Sequence, residues 1–201
     1  MQREIPGARG TGPQQLSKLE FQPLTRSRWQ DLEALFWPDG ACGGCWCMYW
    51  RLPRPKFARQ KGASNRRALR RIVEAGTVPG ILAYIEGKAV GWCAVEPRAA
   101  YPGLARSRVL APLDDKPVWS VTCFYVARRF RRQGITVQLL RAAIRHVREQ
   151  GGRILEGYPV VPKDYHASSP AFAWTGFLPA FERAGFADCA RRSRPVMRRK
   201  V

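Results

Sequence analysis

The sequence predicts an α/β (α+β) fold, a mixed sheet covered by helices on both faces. Three observations lead there. Strand-like and helix-like segments interleave along the chain, one strand–helix–strand crossover lies at its centre, and turn-linked strand pairs stand before and after it. A length of 201 residues suits one domain with its own core.

Residues 1–16, rich in Gly, Pro, Gln and Arg, read as a disordered basic leader, and 17–201 as the single domain. Lys18 to Leu24 alternates weakly, as an edge strand does. Ser27-x-x-Gln30 resembles a capping box, and Trp29, Leu32, Leu35 and Phe36 then form a helical stripe ended by Trp37-Pro-Asp-Gly. Ala41 to Phe57 is aromatic, cysteine-rich and broken by prolines, which predicts a long ordered loop. Ser64 or Asn65 caps a second helix, with Leu69, Ile72 and Val73 inward and Gly76 as its stop. Ile81 to Ile85 and Ala89 to Val95 are strands joined through Glu86-Gly-Lys88.

Arg98 to Pro117 is a proline-containing excursion. Val118 to Val126, rich in β-branched and aromatic residues, is a buried strand. The helix after it has one apolar side, formed by Leu139, Leu140, Ala143, Ile144 and Val147, with Gln138, Arg141 and Arg145 opposite. Arg153 to Tyr158 is a strand ended at Pro159. Asp164 to Trp174 reads as a mobile or substrate-facing loop. Thr175 caps a short helix through Ala184, and Phe186 to Arg192 with Pro195 to Lys200 make a final strand pair.

No apolar run approaches the roughly 20 residues that span a bilayer. Without the apolar stretch of a signal peptide at its start, the chain reads as cytoplasmic. In that compartment six cysteines do not make a disulfide framework. The net charge of +20 is concentrated in Arg128 to Arg145 and Arg191 to Lys200, neither containing an acid. A polyanionic ligand accounts for part of this excess, and nucleic acid is the alternative partner. Exposed strands near the C-terminus allow a homodimer.

The segment from Phe124 to Leu140 carries most of the chemistry. A strand, a glycine and a helix start in direct succession make a phosphate cradle. The first helical amides point outward, the macrodipole favours negative charge, and glycine lets the backbone come close. Here the loop is Arg131-Arg-Gln-Gly134-Ile-Thr136. Further on stands Phe181-Glu-Arg-Ala-Gly185-Phe186, an aromatic followed by a late Gly-Phe.

With this element order, the two motifs resemble those of the GNAT superfamily of acyl-CoA-dependent N-acetyltransferases, over nearly the whole chain apart from the leader. The resemblance implies a largely antiparallel sheet of six to seven strands and acetyl-CoA as cosubstrate, without a metal. The pyrophosphate would lie on Gln133, Gly134, Ile135 and Thr136, helped by Arg131 and Arg132. The pantetheine arm would run along Phe124, Tyr125 and Val126, with Phe181 at the thiol end. The loop has Thr136 where relatives have Gly or Ala, and Phe181 stands where many have a tyrosine that protonates the departing thiolate.

Glu156, a carboxylate inside an apolar strand, is the first candidate for a general base, and Glu96 the second. Tyr158 and Tyr165 are candidate acids. Trp46, Tyr49, Trp50 and Asp164 are candidate contacts for the acceptor amine. Cys42-x-x-Cys45-x-Cys47 lacks a fourth ligand nearby and is interleaved with aromatics, so it reads as pocket wall or core rather than a zinc site. The expected function is acetyl transfer to a primary amine of a small molecule. Alternatives are a macromolecular amine, on protein or aminoacyl-tRNA, and a non-catalytic acyl-CoA-binding or cysteine-sensing module.

Overall fold

The computed structural model describes residues 19–37, 40–161, 173–190 and 194–201. Among the described residues seven strands form one sheet, in the order β1-β2-β3-β4-β5-β7-β6. They are β1 (Glu20–Pro23), β2 (Gly80–Ile85), β3 (Lys88–Pro97), β4 (Trp119–Val126), β5 (Ile154–Gly157), β6 (Ala187–Asp188) and β7 (Met197–Lys200). Of these neighbours only the β4–β5 pair is parallel; every other pair is antiparallel. The helices are α1 (Trp29–Phe36), α2 (Arg54–Arg59), α3 (Ala63–Glu74), α4 (Pro102–Ala105), α5 (Ile135–Glu149) and α6 (Leu178–Arg183).

Two apolar layers sandwich the sheet. On one face, Leu139, Leu140, Ala143 and Val147 of α5 and Phe181 of α6 bury against Cys93, Val95, Val121 and Leu155. On the other, Leu32 and Phe36 of α1 and Leu69 and Val73 of α3 meet Leu82, Trp92 and Cys123. A third cluster, Trp50, Tyr101, Leu104, Leu110, Tyr158 and Val196, continues this second face toward β5. The stripes at three- and four-residue spacing predicted these helices because each must hide one side.

Local signals fared unevenly. Ser27 does not cap α1, whose first turn follows a 3₁₀ turn at Arg26–Arg28; its hydroxyl meets Thr25 Oγ1 at 2.9 Å instead. Neither Ser64 nor Asn65 caps α3, which starts at Ala63, and Asn65 Nδ2 donates to the Gly44 carbonyl at 3.3 Å. Thr175 is buried and precedes α6 by more than a cap's distance, the N-cap being Phe177. The loop expected over Ala41 to Phe57 gives way to α2 at Arg54. Partners outside the helices claimed the Ser27, Asn65 and Thr175 side chains, which the capping pattern cannot foresee.

Two irregularities shape the middle of the sheet. In β3–β4, Ala94 faces Cys123 but Val95 faces Val121, so Thr122 is an extra residue, a bulge in β4. The β4–β5 ladder covers only Trp119↔Leu155, Ser120↔Glu156 and Val121↔Gly157, leaving β4 from Thr122 onward without a strand on that side among the described residues. Gly157, the last residue of β5, is needed for space. A Cβ there would collide with Phe181 Cε1, and Phe181 itself is fully buried against Phe124 and Phe186.

Gly157→Ala is therefore expected to destabilise the fold by about 1–3 kcal/mol through overpacking. A lowered urea midpoint with unchanged m-value would show it, and Phe181→Leu should recover part of the loss.

Candidate functional site

The site lies where β4 loses its β5 partner. Within β4 successive residues turn their backbone groups to opposite edges, so Phe124 and Val126 share the open edge. The Phe124 amide is not free there: it donates to the Trp174 carbonyl at 2.6 Å. The Phe124 side chain lies in the α5-side core, and the half-buried Tyr125 ring meets Phe36 on the opposite face, with centroids 5.4 Å apart.

From Val126 the chain enters a 3₁₀ turn, Arg128–Phe130, then the loop before α5. Arg131 Nε donates to the Val126 carbonyl at 2.9 Å, and Gln133 Nε2 to the Arg129 carbonyl at 3.2 Å, which ties the loop back to the strand. Arg132 has φ 63° and Gly134 φ 77°, both left-handed. Gly134 is the residue that adopts this at least cost, and it is the N-cap of α5. The Val137 and Gln138 amides both return to the Gly134 carbonyl, so those of Ile135 and Thr136 precede the helical ladder and face outward. Arg128, Arg129, Arg131 and Arg132 are exposed around them, with no carboxylate between. Ile135 is buried and Thr136 half-buried.

At the end of the β4–β5 ladder, on the α1 face, runs a largely buried polar network. Glu156, 1% exposed, accepts from Arg98 at 2.6 Å, from Arg198 Nε at 2.7 Å and from the Tyr158 hydroxyl at 2.6 Å. Ser120 Oγ lies 2.8 Å from that hydroxyl, and Arg198 also grips Asp114 at 2.7 Å. Burial first, then the Glu156 charge, raises the Tyr158 phenol well above its usual range. It stays protonated and acts as a donor. A second pair, Arg51 with Glu96, reaches Tyr101, whose hydroxyl lies 3.5 Å from Arg51 Nη2.

Both first candidates for proton transfer are thus enclosed. Glu156 has guanidinium groups on both oxygens, and Tyr158 is 0% exposed. Tyr165 and Asp164 lie outside the described residues. Trp46 sits in the α1-side core, stacked on Trp29 with centroids 6.2 Å apart and edge-on to Phe36 at 5.4 Å. Tyr49 and Trp50 form a wall with Trp174, a residue that sequence reading left in a loop. Tyr49 meets Trp50 at 4.9 Å and Trp174 at 5.0 Å, each steeply inclined, and Trp174 holds the open edge of β4. Arg98, Arg194 and Arg198 were also missed; nothing local separates them from the other arginines.

The cysteine segment is mostly interior. Cys47 Sγ accepts the Trp92 indole N–H at 3.1 Å. Hydrogen bonding with the Cys123 thiol holds the free Cys47 thiol below the ordinary value, against burial and aided by Trp92 and Arg51; the same interaction drives Cys123 well above. Burial pushes Cys45 up to about 12. Among the described residues no group of three or more His, Cys, Asp or Glu could hold a metal ion, and no helix is long and apolar enough to cross a membrane.

A model described as the acetyltransferase (GNAT) family matches residues 29–173. Several solved structures share the fold at low identity. A GNAT-family acetyltransferase from Listeria monocytogenes is 10% identical with TM-score 0.55, over 91% of this chain and 95% of that one. One from Streptococcus agalactiae gives 10%, 0.54, 91% and 95%. The PaiA N-acetyltransferase of Thermoplasma acidophilum, solved in complex with coenzyme A, gives 11%, 0.50, 91% and 99%. No curated protein matches the sequence.

Two measurements follow. Glu156→Gln should cost about 1–3 kcal/mol in chemical denaturation, since it removes the buried carboxylate that pairs with Arg98 and shares Arg198 with Asp114; a full-stability variant would show that the network is not structural. Native thiol titration should find two fast cysteines, the exposed Cys42 and Cys189, and not six.

Proposed function

The chain belongs to the acetyltransferase (GNAT) family, and from that premise we propose that it transfers an acetyl group from acetyl-CoA to a primary amine of a small molecule, by direct attack. The observation that carries this reading is the anion site at the start of α5. Outward amides, a left-handed Gly134 and four exposed arginines stand together beside the open edge of β4.

The amides of Gln133 to Thr136 would hold the pyrophosphate, with charge-assisted bonds from Arg131 and Arg132. The pantetheine arm would pair with β4 at Val126 and compete with the Trp174 carbonyl for the Phe124 amide. Acetyl-CoA supplies the activated thioester, and the chain supplies position. The T. acidophilum protein was solved with coenzyme A, and the same carrier is proposed for this chain.

Glu156 and Tyr158 are assigned to holding the end of the β4–β5 ladder. Enclosed as they are, they act on the reaction through the geometry of β4. Proton transfer by a side chain contributes on the order of 10²–10⁴-fold, whereas orientation of the reacting groups can contribute more. Tyr49, Trp50 and Trp174 would bound the acceptor pocket. Phe181 shapes the floor of the open edge and offers no proton.

Calorimetry with acetyl-CoA tests the carrier, and release of free thiol with a panel of amines tests the transfer. Binding is expected, weakened about tenfold or more by Gly134→Val and about tenfold by Arg131→Ala with Arg132→Ala. No acetyl-CoA binding by the folded protein would overturn the proposal. Thiol release only with peptide or RNA amines would move the acceptor to a macromolecule.

A further inference from the structure

Beside the open β4 edge, the aromatic wall adjoins buried hydrogen-bond donors that have no acceptor among the described residues. Arg194 Nη2 donates to the Tyr158 carbonyl at 2.8 Å and to Thr175 Oγ1 at 2.6 Å. No carboxylate pairs with it among the described residues, and its Nε is buried without a partner there. Burial lowers its pKa, as expected for a desolvated guanidinium. Trp50 Nε1 and Arg51 Nε, in the neighbouring wall, are also buried donors without acceptors. A buried donor left unsatisfied is costly, and a buried unpaired cation more so.

Position gives this excess a meaning. Thr175 follows Trp174, whose carbonyl takes the Phe124 amide at the open edge and whose ring packs on Tyr49 and Trp50. A cavity of about 380 Å³ extends from Tyr49 and Trp50 past Arg54, Arg106 and Ser107, again without a carboxylate in its wall. Arg54 stacks over Tyr49 at 4.6 Å. Among the described residues, this side of the wall is therefore positive and aromatic.

Resting on the acetyltransferase reading, we propose that the acceptor is an amine that also bears a carboxylate, an amino-acid-like molecule with a flat or apolar body, and that Arg194 binds that carboxylate. A plain ammonium would be repelled by this field. A carboxylate on the same molecule supplies the missing acceptors and offsets the charge. The remaining positive potential favours the neutral form of the amine, the form that attacks a thioester. The carboxylate would take the Arg194 Nε edge, while Tyr49, Trp50 and Trp174 cover the apolar body.

The test uses matched amines: phenylalanine against phenethylamine, and 5-aminopentanoate against pentylamine, with acetyl-CoA saturating. In the wild-type protein the carboxylated member of a pair should have the higher kcat/KM, by about tenfold or more. Arg194→Gln should abolish that preference through KM, with acetyl-CoA affinity unchanged, and Arg194→Lys should restore part of it. Equal turnover of both members, or preference for the plain amine, overturns the inference and leaves the acetyltransferase reading intact. So does an Arg194→Gln loss that is equal on both members. The wild-type comparison stands even if the variants fold poorly. No thiol release with any amine would overturn the parent reading and this inference with it.

Discussion

The parallel ladder between β4 and β5 ends after Val121↔Gly157, and the site is a consequence of that ending. Beyond it β4 has, among the described residues, a strand partner on one edge only, and the groups at Phe124 and Val126 must find acceptors and donors elsewhere. The Trp174 carbonyl takes one of them. Three features enforce the ending. Thr122 adds a residue to β4, Gly157 admits the Phe181 ring where any side chain would collide, and Pro159 lacks the amide to continue.

The two faces of the sheet solve different problems at this point. The α5 face is apolar, and Phe181 fills the space under the open edge without bringing a hydroxyl that would need a partner. The α1 face holds charge. Glu156 and Asp114 together neutralise Arg98 and Arg198 in a cluster that Tyr158 and Ser120 complete. Such a cluster adds little net stability over apolar packing, but losing one member is severe. Its effect is to fix β5 and β7 against β4. Further along the same face the balance is broken: Arg194, Arg51 and Trp50 keep donors without acceptors among the described residues, next to the aromatic wall. A satisfied cluster thus stands beside one whose donors lack acceptors among the described residues.

The cysteines belong to the first kind. Cys47 and Cys123 join the aromatic segment to β4, and the Trp92 indole completes their bonding. Trp46 and Cys47 both have positive φ, at 45° and 54°, which their surroundings must hold in place. The aromatic interleaving that argued against zinc has its physical counterpart in the stacking of Trp46 between Trp29 and Phe36.

What the sequence determined by itself was set by periodicity and by backbone chemistry. Apolar stripes placed α1, α3 and α5, alternation and turns placed the strands, and the glycine between strand and helix marked the start of α5 at Gly134. These signals are local, since each depends on residues within a turn or two. Tertiary structure alone decided the side-chain partners. Ser27 and Asn65 had the chemistry of helix caps but were taken by other contacts, and Glu156 had the look of a base but meets two arginines from distant segments, Arg98 and Arg198. Among 35 basic residues, no local pattern tells the paired Arg198 from Arg194, which has no carboxylate partner among the described residues. That difference arises only when β7 and the Trp174 segment close around them, because the strength of a charge depends on what surrounds it and not on its neighbours in the chain.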